Sequence, residues 1–339
     1  MPVPYKDKHP TANLNKSFIN QTKENNEESD GCKWFYSLET LSAITGLLVN
    51  IITVVTLAVN GKEFPQIGRI LLQHQAIADS LVCSMGIVLL MQPFMWVTGN
   101  DTVDFLVCQV WHSQAIYWLS VYISIWNLVF IAFERFIMIV FPFKHRNIRP
   151  THIYSAFLIM YSSFVIFTSP VWLPSRYDNT KRECLRSVTV TLNSSYTFEL
   201  IYTVSVFFVQ YAVPIAFFIV LYTKIILTLR QRQENLKENM GVSQGSRLYD
   251  IANQQMTRTV IAVTIFFVVS LSFDSWYFLL SLSDGIQYDV SSQFQIIGTF
   301  LVTVNSGVNP FIYCTSMPIF RKSLNKTFRC LNLGIHNVT

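Results

Sequence analysis

A few ionisable and amide side chains stand inside long apolar stretches of this sequence. Asp79 lies in Ala76-Ile77-Ala78-Asp79-Ser80, Glu134-Arg135-Phe136 closes a second stretch, and Asp274 interrupts a third. A fourth carries Asn305-Ser306-Gly307-Val308-Asn309-Pro310-Phe311-Ile312-Tyr313. Burying such groups in lipid is costly, so each needs a partner and each marks a candidate functional position. A lone Asp79 calls for a small cation, a proton or several hydrogen-bond donors; a protonated structural aspartate is the alternative. Counting back from Arg135, Ile131, Leu128, Ser124, Val121 and Tyr117 follow at steps of 4, 3, 4, 3 and 4, which is one helical face. That face runs from an interfacial arginine to a mid-span tyrosine, with ordinary snorkelling of Arg135 as the plainer reading. Asn305, Asn309 and Tyr313 share a face too. Pro310 frees a backbone carbonyl one turn earlier, which Asn side chains can re-satisfy. Asp274 lies on a face with Phe267, Leu271 and Phe278, and could pair with a basic group on a ligand or with its own surroundings.

Other chemistries find no footing. The six histidines are scattered without metal-ligand spacing. No nucleophile–base pair or glycine-rich phosphate loop occurs, so the chain does not read as an enzyme. No basic run with interleaved aromatics points to nucleic acid.

The elements that must position these residues are set by composition. Of 339 residues, 51% are hydrophobic and only 13% charged, about half the charged share of a soluble domain. Seven apolar stretches, at about 37–60, 70–95, 108–140, 153–174, 197–229, 258–282 and 293–316, are long enough to cross a bilayer as helices. The expected fold is an all-α membrane protein, a seven-transmembrane helix bundle, with an N-terminal tail over 1–36, the bundle over 37–316 and a short amphipathic C-terminal helix and tail over 317–339. With the N-terminus outside, 16 of the 25 basic residues fall on inner segments. This favours an extracellular N-terminus and a cytoplasmic C-terminus in the plasma membrane. The first 33 residues are polar and show no apolar h-region, so the first span would insert by itself.

The sequons at Asn15, Asn20, Asn100 and Asn193 then fall outside and are the candidate glycosylation sites. Cys108 and Arg135 are 27 residues apart, about 40 Å of continuous helix, which spans a bilayer with its headgroups. Cys108 thus reaches the oxidising surface, where a disulfide with Cys184 is the expectation and two free thiols the alternative. The polar segment from about 230 to 257 is expected to be flexible, and residues 188–192 alternate as a strand would. Pro318 to Leu324 reads as an amphipathic helix on membrane lipid, followed by Cys330 as a palmitoylation candidate.

Together these residues resemble rhodopsin-like (class A) G-protein-coupled receptors, over about residues 37 to 330. Asn50 resembles the buried Asn of the family's first span. Asp79 resembles its sodium-site Asp, which would make Ser124, Asn305 and Asn309 co-ligands of a structural sodium ion; no other cofactor is implied. Glu134-Arg135-Phe136 resembles the Asp-Arg-Tyr motif, with Pro142 seven residues after the Arg. Pro214 and Tyr222 resemble the fifth-span pair, and Asn309-Pro310-Phe311-Ile312-Tyr313 the Asn-Pro-x-x-Tyr motif. The resemblance implies that an extracellular ligand shifts the bundle between two packings, the sixth span swings outward inside the cell, and Arg135 is released to a heterotrimeric G protein while Tyr222 and Tyr313 rearrange.

Departures accompany the likeness. The fourth span has Met160 or Tyr161 where the family has Trp. The sixth has Leu271 and Phe273 where the family has its toggle Trp and kink Pro, with Trp276 about a turn away. The Cys108–Arg135 interval is a couple of residues longer than usual.

The ligand is narrowed by exclusion. Residues 293–316 hold no lysine for a retinal Schiff base, and no acid lies between Cys108 and Glu134 to meet an amine. Tyr117 takes that place, and Tyr117, Leu271, Asp274 and Phe278 form the candidate ligand-binding set. A long basic loop around Cys184 fits a peptide ligand, expected to be a neuropeptide. A secondary transporter or channel is the rival reading, against which stands the absence of internal repeats. A receptor-like protein that does not signal is the other.

Overall fold

The computed structural model describes residues 36–90, 100–108, 114–172, 176–178, 183–185, 196–238, 244–280 and 293–336. In chain order the helices are α1 (Tyr36–Val59), α2 (Gln66–Leu90), α3 (Asp101–Val107), α4 (Ala115–Val140), α5 (Pro142–His145) and α6 (Pro150–Trp172). A two-stranded antiparallel hairpin follows, β1 (Arg176–Asp178) with β2 (Glu183–Leu185), pairing Tyr177 with Cys184. Then come α7 (Tyr196–Phe207), a π-helical turn at Phe208–Ala212, α8 (Val213–Glu238), α9 (Gln244–Leu280), α10 (Gln293–Ser316) and α11 (Pro318–His336). The chain is a multi-pass helical membrane bundle.

Among the described residues six continuous helical stretches, with α7, the π turn and α8 forming one of them, are long and apolar enough to cross a membrane. The remaining span, α2, is 25 residues long, but Gln73, His74, Gln75 and Asp79 dilute its apolar character. Those polar residues are answered inside the bundle. α4 lies at the centre, packed against α2, α6, α8 and α9 and buried nearly all round. α6 lies at the rim, where Leu158 and Ile166 are 68% and 73% exposed. Large apolar side chains on an outer face are what lipid, not water, tolerates.

Two prolines show how the bundle handles lost hydrogen bonds. Pro214 follows the π turn, which re-phases the fifth span where the ladder loses a donor. Pro310 lies inside α10 and deprives the Ser306 carbonyl of its helical donor. The sequence pointed to an Asn side chain as the replacement, and Asn50 of α1 supplies it, donating from Nδ2 to the Ser306 carbonyl at 2.9 Å. It reaches because a Cβ on Gly46 would lie 3.1 Å from Gly307 Cα, so only two glycines let α1 and α10 come this close.

Three expectations are corrected. Cys108 and Arg135 do not share a continuous helix. Cys108 caps α3, and α4 begins only at Ala115, after Gln114 in a left-handed conformation (φ 57°). The polar 230–257 segment is helical in its described parts: α8 runs to Glu238 and α9 starts at Gln244, because its Lys, Arg, Gln and Glu residues are good helix formers. The amphipathic helix runs on to His336, well past Leu324. The strand expected at 188–192 lies outside the described residues.

Candidate functional site

At the inner end, the face counted back from Arg135 is buried throughout, from Arg135 itself (2% exposed) to Tyr117 (1%). Arg135 is therefore not snorkelling into headgroups. Its Nε lies 3.0 Å from Glu134 Oε2, an ion pair without hydrogen-bond alignment. Its Nη1 faces Met138 Sδ at 3.8 Å. The other Glu134 oxygen meets His145 Nε2 of α5 at 2.9 Å. A Cβ on Gly68 of α2 would come within 2.7 Å of Arg135 Nη2, so the glycine makes room for the guanidinium. A cavity of about 10 Å³ adjoins it, lined by Arg135, Glu134, Thr259, Val260, Tyr313 and Met317 among others. Tyr222 is tied to α9 through Thr264 Oγ1 at 2.7 Å, and Tyr313 packs edge-on against Phe320 of α11. Phe136 stacks on Phe133 and meets Phe141 edge-on.

Midway up, Asp79 is fully buried. Ser124 Oγ donates to its Oδ1 at 2.7 Å and Asn309 Nδ2 to its Oδ2 at 2.8 Å. Gln75 Nε2 reaches both oxygens at 3.2 Å and Ser124 Oγ at 2.7 Å. Asn127 Nδ2 in turn donates to Gln75 Oε1 at 2.8 Å and to the Leu71 carbonyl at 3.0 Å. Asn305 makes no hydrogen bond to the carboxylate; its Oδ1 is buried without a partner. Gln75 and Asn127 were missed in the sequence, although two amides inside apolar spans are as conspicuous there as Asp79. The missing fourth-span Trp also has an answer: Tyr161 Oη meets His74 Nε2 at 2.6 Å, and His74 stacks on Phe157 at 3.8 Å.

At the outer end, Tyr117 Oη donates to the Thr299 carbonyl at 3.4 Å. Asp274 is buried and accepts from Gln295 Nε2 at 3.5 Å, with Gly298 close against it. Glu39 of α1, 3% exposed, is a second buried acid toward this end of the bundle. It too was missed, though it is an acid placed two residues inside the first apolar stretch. Leu271 is buried and Phe278 packs partly buried on the core. Trp276 points outward, 48% exposed, against Phe207 and Tyr211.

The remaining candidates are scattered. Cys108 is buried and disulfide-bonded. Cys184 lies on β2, and its side chain, like that of Cys330 on α11, is outside the described residues. Asn100 caps α3, its Oδ1 accepting from Thr102 N at 3.1 Å. Asn15, Asn20 and Asn193 are outside the described residues. Beneath the bundle, Asn60 Nδ2 donates to Thr327 Oγ1 at 2.8 Å, and Glu63 accepts from Ser323 Oγ at 2.7 Å and Lys326 Nζ at 3.2 Å, clasping α11 to the first inner turn. These two donors hold the Glu63 carboxyl below its usual range, Ser323 foremost. Among the described residues no group of three His, Cys, Asp or Glu side chains is placed to hold a metal ion.

Comparison with known proteins gives a consistent picture. Residues 49–313 match the family model described as 7 transmembrane receptor (rhodopsin family). The neuropeptide Y receptor type 6 of Mus musculus is 26% identical over 308 residues, covering 84% of this chain and 77% of the relative. The substance-K receptor of Canis lupus familiaris is 22% identical over 299 residues, covering 87% and 74%. The blue-sensitive opsin of Anolis carolinensis is 24% identical over 289 residues, covering 84% and 77%.

Proposed function

The chain belongs to the rhodopsin family of seven-transmembrane receptors, a family of receptors rather than enzymes, and from that premise we propose that it binds an extracellular peptide and activates a heterotrimeric G protein inside the cell. The observation that carries this reading is the unbroken buried face of α4. It joins the outer cluster at Tyr117, through Ser124 beside Asp79, to the Glu134–Arg135 pair. Such a contiguous packed element is a physical route by which a ligand that repacks the outer end can bias the inner end. Two relatives are named as receptors for neuropeptide Y and substance K, which supports a peptide, and specifically a neuropeptide, as the ligand class. Buried Asp274 and Glu39 favour a peptide with a basic group, which would reach them past Tyr117, Leu271 and Phe278. The reading places the N-terminus outside the plasma membrane, with sugars on Asn15, Asn20, Asn100 and Asn193. Cys108 pairs with Cys184, α11 lies on lipid, and Cys330 is acylated. Glu134, Arg135, Phe136, Tyr222, Asn309, Pro310 and Tyr313 carry activation.

A peptide library screened on cells expressing the chain, read by sensors for several G-protein classes, tests it. Peptides with Arg or Lys should signal, Asp274→Asn should weaken them at least about tenfold, the loss of one charged hydrogen bond, and Arg135→Ala should silence them. Signalling to lipids or nucleotides with none to peptides would overturn the peptide assignment. Ligand-driven substrate flux in vesicles without nucleotide exchange would overturn the receptor mechanism.

A further inference from the structure

The Asp79 site has the residue types that the family resemblance assigns to a sodium ion, yet its geometry does not fit one. A carboxylate offers about four lone-pair positions. Three protons are directed at them: one from Ser124 on Oδ1, one from Asn309 on Oδ2, and one from Gln75 shared between both oxygens. Ser124 Oγ, a second would-be ligand, gives its proton to Asp79 and accepts from Gln75, which leaves it little to offer a cation. The neighbouring cavity, where Asn305 and Ser306 meet Val121, Ile125, Phe267, Leu271 and Val302, is about 10 Å³. That is room for one water at most, not for an ion with the waters that complete its shell.

We infer that the Gln75 amide is a built-in, uncharged occupant of the cation site and that this receptor is insensitive to sodium. Gln75 is held in that role from behind. Asn127 donates to its Oε1 and so turns the NH₂ toward Asp79 and Ser124. The NH₂ group has two protons: one goes to Ser124, the other is shared between the carboxylate oxygens. The amide thus does for Asp79 what a cation would do, without leaving or entering with conformational state. A leucine or alanine at position 75 would withdraw these donors, reopen both carboxylate oxygens and Ser124 Oγ, and create a sodium site where none operates.

The test needs neither the ligand nor a G protein, so it stands or falls apart from the function proposed above. Full-length receptor in nanodiscs is melted in sodium chloride and in N-methyl-D-glucamine chloride of equal ionic strength, with sodium titrated between them. The wild-type midpoint should stay within about 1 °C, while Gln75→Leu should gain about 2–4 °C, saturably, as expected for an ion present at about ten times its dissociation constant. Adding Asp79→Asn to Gln75→Leu should abolish the gain. Saturable, sodium-specific stabilisation of the wild type would overturn the inference. So would a folded Gln75→Leu, or Gln75→Ala if the leucine variant does not fold, that remains blind to sodium.

Discussion

Glu134→Gln removes one charge from the inner end of α4 and almost nothing else. In the closed packing both carboxylate oxygens are engaged, one 3.0 Å from Arg135 Nε and the other 2.9 Å from His145 Nε2, and the residue is 4% exposed. A hydrogen bond to a charged group, as to His145, contributes about 1.5–3 kcal/mol, and the buried ion pair to Arg135 is of about the same order. A glutamine keeps one accepting oxygen but turns an NH₂ toward a guanidinium or an imidazole, so a net loss of about 2 kcal/mol is expected. The loss falls on one state only. Once Arg135 has left Glu134 for water or a partner, the open packing has little of this interaction to forfeit. A 2 kcal/mol difference is about 30-fold in the equilibrium, so a receptor about 1% open becomes about a quarter open. Nucleotide exchange by purified G protein, with receptor in nanodiscs and no ligand, should then rise about 20-fold. His145→Ala removes a partner that is 19% exposed and screened, so its effect should be smaller, under about fivefold. Unchanged basal exchange with a folded Glu134→Gln would refute the claim that this pair holds the closed state. A larger effect from His145→Ala would refute the ranking.

Three further outcomes follow from the packing. Tyr222→Phe and Thr264→Val each delete the 2.7 Å tie between α8 and α9; each should lower the melting midpoint by a few degrees, and their double-mutant coupling should be about 1 kcal/mol. Tyr161→Phe leaves His74 Nε2 without its 2.6 Å partner but keeps the ring stack on Phe157; it should cost about 1–2 kcal/mol, read by thermal melting, and His74→Phe with Tyr161→Phe should recover most of that. The Glu63 carboxyl is depressed in the folded chain by Ser323 and Lys326, so its contribution is present above the ordinary carboxylate range and lost as pH falls through the depressed value. Hydrogen exchange at 323–327 should accelerate on acidification, and Glu63→Gln should remove that dependence.

The spans and the α4 face were readable because they rest on local rules: length against bilayer thickness, and steps of three and four along a helix. Partner choice was not readable, because it depends on which helices touch. Pro310 announced an orphaned carbonyl that an Asn side chain could answer, without saying which one. The donor is Asn50, 256 positions away, admitted by a glycine contact that neither helix reveals alone. Asp79 announced a need for donors or a cation; Gln75, four residues earlier on the same helix, was within reach of the local rule, and only the fold adds Ser124 and Asn309. The Cys108–Arg135 interval misled for a different reason. It was converted to length as one helix, and a single left-handed residue, Gln114, ends that conversion.

The departures in the sixth span bear on how an outer event reaches Arg135. With Phe273 in place of the family's proline, α9 runs as one 37-residue helix from Gln244 to Leu280. A helix without a proline has no ready hinge, so it transmits tilt rather than a change of kink. Asp274 sits at its outer part against Gly298, Thr264 holds Tyr222 lower down, and Thr259 and Val260 line the cavity beside Arg135. From Asp274 to Val260 is about 21 Å of helix, so a tilt of about 10° pivoting at the outer contact moves the inner wall by about 4 Å. At Thr264, about 15 Å from the pivot, the same tilt moves the hydroxyl by about 2.6 Å, which stretches the 2.7 Å Tyr222–Thr264 bond beyond hydrogen-bond range unless Tyr222 follows. The outer acid, the tyrosine tie and the Glu134–Arg135 pair thus lie along one rigid lever, and Trp276, about a turn from the toggle position that Leu271 occupies, is turned outward at 48% exposure and has no part in it.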